Sequence, residues 1–170
     1  MMVIVMGVCG CGKTTVGRAL AHELGVEFLD ADDFHPEENV ARMAEGVALT
    51  DDDRWPWLDR LAAAMRDRAS RGRGAVIACS ALKETYRERL RRGGSTAGEV
   101  RFVYLKGDAA TIAPRLASRS GHYMPVSLLA SQFAALEEPA DAIVVDIRQP
   151  AEAQAGQIAA VLRSTLDSAA

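Results

Sequence analysis

The residues that could do chemistry begin with the segment 7–14, Gly-Val-Cys-Gly-Cys-Gly-Lys-Thr. Its pattern is Gly-x4-Gly-Lys-Thr, in which the glycines let successive backbone N–H groups turn towards phosphate oxygens. A helix that starts at this point adds the positive end of its dipole. The Lys13 ammonium can bridge the β- and γ-phosphates of a nucleotide, and the Thr14 hydroxyl can take one position around Mg²⁺. The segment therefore predicts a phosphate-binding loop.

Carboxylates follow at the end of the next predicted strand, in the segment Asp30-Ala31-Asp32-Asp33-Phe34-His35-Pro36. At the carboxyl edge of a parallel sheet, such side chains face the crevice where ligands bind. One carboxylate could order Mg²⁺ or its water shell, and another could accept the proton of an attacking hydroxyl. We expect Asp32 to be the catalytic carboxylate and Asp30, nearer to the strand, to serve the metal or the structure. For His35, a structural hydrogen bond and a substrate contact both remain open.

Cationic and polar residues lie further along the chain. Arg54 follows the acidic run Asp51–Asp53, which favours the start of a helix, and its guanidinium can bind a carboxylate through two hydrogen bonds. The third predicted strand leads into Ser80, Lys83 and Arg87 rather than into an acidic residue, so a Walker B carboxylate is missing there. For Lys83 and Arg87, a role at the site and a place on an exposed helix face both remain open.

Two arginines, Arg115 and Arg119, stand four residues apart and would share one face of a helix. Arginines on a mobile lid neutralise charge on a phosphoryl group during its transfer. The stretch from Arg115 to Pro139 also holds Gly121 and Pro125, where a simple crossover would be compact. We therefore interpret the region at about 115–139 as a lid.

Short apolar runs alternate with amphipathic stretches along the chain, which predicts a three-layer α/β fold with a parallel sheet covered on both faces. The predicted strands are Val3–Met6, Val26–Asp30, Ala75–Cys79, Val100–Leu105 and Ala142–Asp146. The predicted helices are Thr14–Leu24, a helix from Pro36 to Glu45 stopped by Gly46, one opened by Asp51–Asp53, Lys83–Arg92, Ala109–Ala117 interrupted by Pro114, and a C-terminal helix with an apolar stripe of Ile158, Val161, Leu162 and Leu166.

Composition narrows the class of protein. The 170 residues suit one domain, 1–170, and 49% apolar with 25% charged residues is a globular balance. A formal net charge of -3 disfavours a strongly basic nucleic-acid binder. No apolar run is long enough to span a bilayer, and three cysteines, an odd number, fit a reducing compartment. We expect a soluble, cytoplasmic protein without nucleic-acid or membrane partners.

Taken together, these motifs resemble the gluconokinase family of small P-loop kinases. The matching stretches are Gly7–Thr14, Asp30–Pro36, Asn39–Met43, Leu49–Arg54, Cys79–Arg87, Tyr104–Gly107, Arg115–Met124, Ser131–Pro139 and Val144–Pro150. The resemblance implies ATP-dependent phosphorylation of D-gluconate at its 6-hydroxyl. It also implies a nucleoside-monophosphate-kinase-like P-loop domain with a five-stranded parallel sheet and a lid, and a homodimer. The family usually has small residues such as Ser where this chain has Cys9 and Cys11, and it often has Gly where this chain has Ala31.

The residues and the resemblance together predict a site. The catalytic residues are Lys13, Asp32 and Arg119. The nucleotide-binding residues are Gly7, Gly10, Cys11, Gly12, Lys13, Thr14, Thr15, Arg115, Gln149 and Pro150. The substrate-binding residues are Asp32, His35, Arg54, Ser80, Lys83, Arg87 and His122, and the Mg²⁺ ligands are Thr14 and Asp30.

Two other functions stay open at this point. Shikimate kinases have a similar loop, Asp pair and arginine lid, but their Gly-Gly-Gly after the third strand is replaced here by Cys79-Ser80-Ala81. A non-catalytic nucleotide-binding switch would bind ATP without releasing ADP in response to an acceptor. An Asn-Lys-x-Asp guanine signature is missing from the sequence, which weakens the GTPase alternative.

Overall fold

Parallel strands at the centre of the molecule position everything else. The structure, a computed structural model, describes residues 1–45, 47–94, 100–117 and 126–167. Within these ranges five strands form one parallel sheet in the order β2-β3-β1-β4-β5. The strands are β1 Met2–Met6, β2 Glu27–Asp30, β3 Ala75–Ala78, β4 Val100–Lys106 and β5 Ile143–Asp146.

Helices connect consecutive strands, as right-handed crossovers between parallel strands require. Their bounds are α1 Lys13–Leu24, α2 Glu37–Ala44, α3 Asp51–Ser70, α4 Glu84–Arg91, α5 Ala109–Ala117, α6 Val126–Ala135 and α7 Ala151–Asp167, with one 3₁₀ turn at Ala31–Phe34. Thr50 caps α3 by accepting the Asp53 N–H, while the Asp53 carboxylate accepts the Thr50 N–H. This reciprocal pair explains why the acidic run opens the helix. None of the helices in the described ranges is long and apolar enough to cross a membrane.

The core consists of two layers, because successive side chains of a strand point to opposite faces of the sheet. From β1, Val3 and Val5 pack on one face with residues of α1 and α7. Met2, Ile4 and Met6 pack on the other face with residues of α3 and α4. The predicted three-layer α/β fold is therefore confirmed.

The predicted strands and helices agree with the observed ones to within two residues at most boundaries. The predicted interruption at Pro114 is wrong, since α5 continues through that residue. The 3₁₀ turn after β2 was not predicted, and it decides where the carboxylates of this segment lie. Gly46, predicted to stop α2, lies outside the described residues.

Candidate active site

The loop between β1 and α1 has the backbone geometry of an anion site. β1 ends in the buried Met6, and Gly7 and Gly12 then adopt φ of 139° and 103°, which L side chains rarely adopt. The first hydrogen bond of α1 runs from the Val16 N–H to the Gly12 carbonyl, at 2.9 Å. The N–H groups of residues 12–15 precede this bond, and such groups at a helix start have no partner within the helix. They are available to phosphate oxygens.

Lys13 occupies the first turn of α1 and folds back over this loop. Its Nζ donates to the carbonyls of Gly7 and Val8, both at 3.0 Å. The ammonium is therefore held at the β1 end of the loop. A ligand phosphate that enters the loop meets a positive charge already in place, which is the electrostatic requirement for phosphoryl transfer.

Asp30 and Asp32 occupy the carboxyl edge of the sheet beside this loop. Asp30 Oδ2 lies 3.5 Å from the Thr14 Oγ1, and Asp30 Oδ1 accepts the Asp32 N–H at 3.2 Å. Asp32 is exposed, like Asp33, but neighbouring protein atoms partly desolvate its carboxyl, and this desolvation and the charge of Asp30 raise its pKa, against the lowering effect of Lys13. The structure thus brings together Lys13, Thr14, Asp30 and Asp32, four of the residues predicted to act on phosphate, metal and hydroxyl.

His35 is held between an aromatic ring and an amide. Its ring stacks on that of Trp57 with centroids 4.2 Å apart, and the Asn39 amide donates to its Nδ1 at 3.5 Å. Burial and the charge of Arg54 lower the pKa of His35 to about 4, so the ring is neutral at physiological pH. Trp57 in turn donates to the Ala31 carbonyl at 2.6 Å, which ties α3 to the carboxylate segment. The structural hydrogen bond left open for His35 is present.

A charged cluster links the start of α3 with the start of α4. Lys83 Nζ contacts both carboxylate oxygens of Asp51, at 2.9 and 2.7 Å, and the Tyr86 hydroxyl donates to the same carboxylate. These hydrogen bonds lower the pKa of Asp51 and raise that of Lys83. Arg54 lies beside the cluster, with its Cζ 5.8 Å from the centroid of the Tyr86 ring. Asp51, predicted only to open a helix, therefore also orients a candidate substrate-binding lysine.

Arg54 has spare hydrogen-bonding capacity. One terminal nitrogen donates to the Leu49 carbonyl at 3.3 Å. Its Nε is buried and has no hydrogen-bond partner among the described residues. A buried, unpaired donor on a charged group is costly, so an anionic ligand that reaches it gains a large interaction.

The loop between β3 and α4 lies against the phosphate loop. The Ser80 carbonyl accepts the Gly7 N–H at 3.3 Å, which joins the two loops directly. Ala81 adopts a φ of 43°, a left-handed conformation that is uncommon for residues other than glycine. Ser80 is half-buried at this junction, on the side of the phosphate loop where β3 ends.

Arg87 holds that loop from beneath, and its side chain is only 1% exposed. One terminal nitrogen donates to the carbonyls of Ala81 and Leu82, at 3.0 and 3.1 Å, and the rest of the guanidinium pairs with Glu84. These contacts use the donors that a substrate would need. They argue for a structural role instead of the substrate contact predicted for Arg87.

Replacing Arg87 with methionine tests this role. We expect the free energy of unfolding to fall by about 2–3 kcal/mol, because the buried Ala81 carbonyl loses its donor and the Glu84 carboxylate loses its buried partner. Arg89→Met on the same helix is the control: its ion pair with Asp59 is partly exposed and should be worth at most about 1 kcal/mol. Denaturant unfolding measures both. An unchanged stability together with a large rise in KM for the acceptor would restore the substrate contact.

A pocket of about 320 Å³ opens on the other side of the phosphate loop. Arg115 crosses its wall and donates to the Ile147 carbonyl at 2.8 Å. Its lining residues are Gly10, Cys11, Gly12, Thr15, Val16, Arg115, Gln149, Ala151 and Gln154. Six of the residues predicted to bind nucleotide thus surround one cavity. Pro150, next to Gln149, accepts the Gln154 N–H at 3.0 Å.

Cys11 and Cys79 are buried, and Cys9 is half-buried. Burial raises the pKa of the Cys11 thiol, which lines the pocket. Burial also raises the pKa of Cys79 to about 12. No group of three metal-ligating side chains occurs in the parts of the chain that the structure describes.

Two predicted residues, Arg119 and His122, lie outside the described residues. Conversely, sequence reasoning missed Asn39 and Gln154, which are buried polar residues of the site region. Gln154 stands one helical turn before Ile158 on the apolar stripe of α7, and a polar residue in such a stripe was a usable signal. Asn39 donates to the Asp53 carbonyl at 2.7 Å, a long-range contact without a local signal in the sequence.

Comparison with known proteins agrees with this geometry. Residues 2–140 match the model of a family described as an AAA domain. The thermosensitive gluconokinase of Escherichia coli K12 is 46% identical over 80% of this chain and 71% of its own length.

Solved structures give the same result. A sugar kinase from Janibacter sp. HTCC2649 superposes with a TM-score of 0.86 at 49% identity, over 95% of this chain and 94% of that one. A gluconokinase from Sinorhizobium meliloti 1021 superposes with a TM-score of 0.79 at 41% identity, over 96% of each chain. The phosphate loop, its neighbouring carboxylates and these similarities lead to one conclusion: the chain belongs to the gluconokinase family of P-loop kinases.

Proposed function

We propose that this protein transfers the γ-phosphoryl group of ATP to the 6-hydroxyl of D-gluconate, giving 6-phospho-D-gluconate and ADP. The observation that carries the proposal is the convergence of a phosphate loop, a carboxylate pair and an acceptor-side cation cluster at one edge of the sheet. The relatives named gluconokinase support the choice of acceptor.

The nucleotide would lie across the phosphate loop, with its triphosphate on the N–H groups of residues 12–15. Its base would then enter the 320 Å³ pocket, where Arg115 and Gln149 offer a cation and an amide. Lys13 sits at the opposite end of the loop, where negative charge shifts between the β- and γ-phosphates during transfer.

Mg²⁺ fits the oxygens of Thr14 and Asp30. These two side chains lie 3.5 Å apart beside the loop, and a hydroxyl and a carboxylate are hard oxygen donors of the kind that Mg²⁺ prefers. When bound there, the ion would neutralise charge on the phosphate oxygens. Asp30 also accepts the Asp32 N–H, so the same carboxylate would fix the position of its catalytic neighbour.

The acceptor would lie between the carboxylate segment and the start of α4. Gluconate carries a carboxylate, which suits Arg54 with its unpaired Nε and Lys83 with its shared ammonium. Asp32 would accept a hydrogen bond from the 6-hydroxyl, hold that hydroxyl in line with the γ-phosphorus and take its proton. His35 and Ser80 would meet the remaining hydroxyls.

The organisation of the chain completes the proposal. We treat residues 1–170 as one kinase domain in which about 115–139 form the lid, with Arg119 and His122 completing the closed site. We also assign a homodimer in the cytoplasm. Free thiols at Cys9, Cys11 and Cys79 suit a reducing compartment.

An ADP-release assay over an acceptor panel tests the function. We expect ADP release with D-gluconate and a kcat/KM at least about a hundredfold lower with glucose, which lacks the carboxylate that would pair with Arg54. Arg54→Met should raise the KM for gluconate, whereas Arg60→Met, an exposed change on the same helix, should not. Preference for shikimate would indicate a shikimate-kinase-like enzyme, and nucleotide binding without any acceptor-dependent ADP release would indicate a switch.

A further inference from the structure

Gln132, in α6, contacts the phosphate loop although the proposed mechanism gives it no role. It lies in the stretch 131–139 that resembles the gluconokinases. Its Oε1 accepts a hydrogen bond from the Cys9 N–H at 2.6 Å, in a half-buried position. An amide oxygen from a distant helix therefore satisfies a backbone donor in the middle of the loop.

This hydrogen bond acts on the same peptide unit that holds the catalytic lysine. The Val8 carbonyl accepts Lys13 Nζ at 3.0 Å, and the N–H of the following residue is the one bound by Gln132. In a trans peptide the carbonyl and the N–H point in opposite directions, and the plane is rigid. Fixing the N–H therefore fixes the direction of the carbonyl, and with it the resting place of the ammonium.

Residues on both sides of Gln132 are held by the rest of the protein. Leu129, one turn earlier in α6, is buried in the core, and the chain beyond α6 is tied down at residue 137. The Glu137 N–H donates to the Leu82 carbonyl at 2.9 Å, and its carboxylate accepts the Glu84 N–H at 2.6 Å. Through these bonds the segment 132–137 connects the phosphate loop with the acceptor-side loop between β3 and α4.

We propose that Gln132 is a positioning residue for Lys13. It orients the Val8–Cys9 peptide so that the ammonium is held where the β- and γ-phosphates would bind. This inference rests on the proposed kinase activity. It assigns to Gln132 an effect on the rate of transfer and little effect on the strength of ATP binding, because the N–H groups of residues 12–15 remain.

Replacing Gln132 with methionine removes the oxygen while keeping the length of the side chain. We expect kcat with gluconate to fall about tenfold, the effect of one hydrogen bond, and KM for ATP to stay within about threefold. Amide hydrogen exchange at Cys9 should become faster. Gln157→Met, at an exposed position of α7, is the matched control and should change none of these values.

A kcat within twofold of the wild type, or a loss confined to KM for ATP, overturns the proposal. If thermal denaturation shows that Gln132→Met is not folded, kcat, KM for ATP and amide exchange at Cys9 are measured for Gln132→Ala instead, with the same expected results. Failure of the proposed function looks different, because the wild type and Gln157→Met would then also lack gluconate-dependent ADP release. In that case the hydrogen-exchange rate at Cys9 and the affinity for ATP test the role of Gln132 without any acceptor. An unchanged exchange rate in Gln132→Met would show that Gln132 does not hold the Val8–Cys9 peptide.

Discussion

Lys13→Ala should lose nearly all phosphoryl transfer while remaining folded. Its ammonium is the positive charge held at the loop, and preorganised charge of this kind stabilises the transition state by several kcal/mol. A loss of about 3–5 kcal/mol corresponds to a fall in kcat of roughly two to four orders of magnitude. Stability should change little, because the two hydrogen bonds that are lost are only partly buried.

The measurement is kcat in the coupled ADP assay beside a thermal unfolding curve. Arg18→Ala provides the control, since Arg18 is an exposed cation on the same helix that stacks over the Phe28 ring. A folded Lys13→Ala protein with turnover near that of Arg18→Ala would show that the loop does not hold the reacting phosphates.

Asp32→Asn should lower kcat by roughly a hundredfold or more, with ATP affinity changed only a few-fold. The substitution keeps the shape and removes the charge that would hold the attacking hydroxyl. Asp33→Asn, the change of an exposed neighbouring carboxylate, is the control. Asp30→Asn should instead raise the Mg²⁺ concentration needed for half-maximal rate. If Asp30→Asn loses turnover and Asp32→Asn does not, the two roles are reversed.

The raised pKa of Asp32 gives this prediction a pH signature. Activity of the wild type should fall as pH drops through that raised pKa, since the Asp32 carboxylate must be ionised. The pH profile of Asp32→Asn should lack this acidic fall in activity. Stability moves in the opposite direction. A carboxyl whose pKa is higher in the folded state contributes stability when protonated, and this contribution is lost as pH rises towards the folded pKa. At neutral pH, Asp32→Asn should therefore be at least as stable as the wild type.

Local patterns were sufficient to predict the sheet and most helices. Apolar runs such as Val3–Met6 and the glycines of the phosphate loop carry their structural information within a few neighbouring residues. The 3₁₀ turn Ala31–Phe34 was missed although it has a local signal, because Asp30 caps it by accepting the Asp32 N–H. The contact from Trp57 of a later helix, which donates to the Ala31 carbonyl, has no such local signal. Pro114 was misjudged because a helix can continue past a proline when tertiary packing holds it.

The site was predictable in residue type more than in residue role. Arg87 and Lys83 both follow the third strand as cations, yet one is buried beneath the loop and the other is shared with Asp51. Lys83 lies within reach of Asp51 in α3, whereas Arg87 lies within reach of the loop carbonyls of Ala81 and Leu82. These distances depend on how the helices pack in three dimensions, and not on the residue type. The contact of Gln132 with Cys9 spans 123 residues, and spacing in the sequence cannot indicate such a pair.

The left-handed conformation of Ala81 means that the folded state carries conformational strain of about 1–2 kcal/mol at one residue. The two carbonyl contacts from Arg87 oppose its release. The shape of the loop between β3 and α4 is thus set by a balance between backbone strain at Ala81 and the hydrogen bonds from the buried Arg87 guanidinium. Ala81→Gly would relieve the strain in the folded state, but it would also raise the conformational entropy of the unfolded chain. The rigidity of this loop and the free energy of unfolding can therefore be altered separately at position 81.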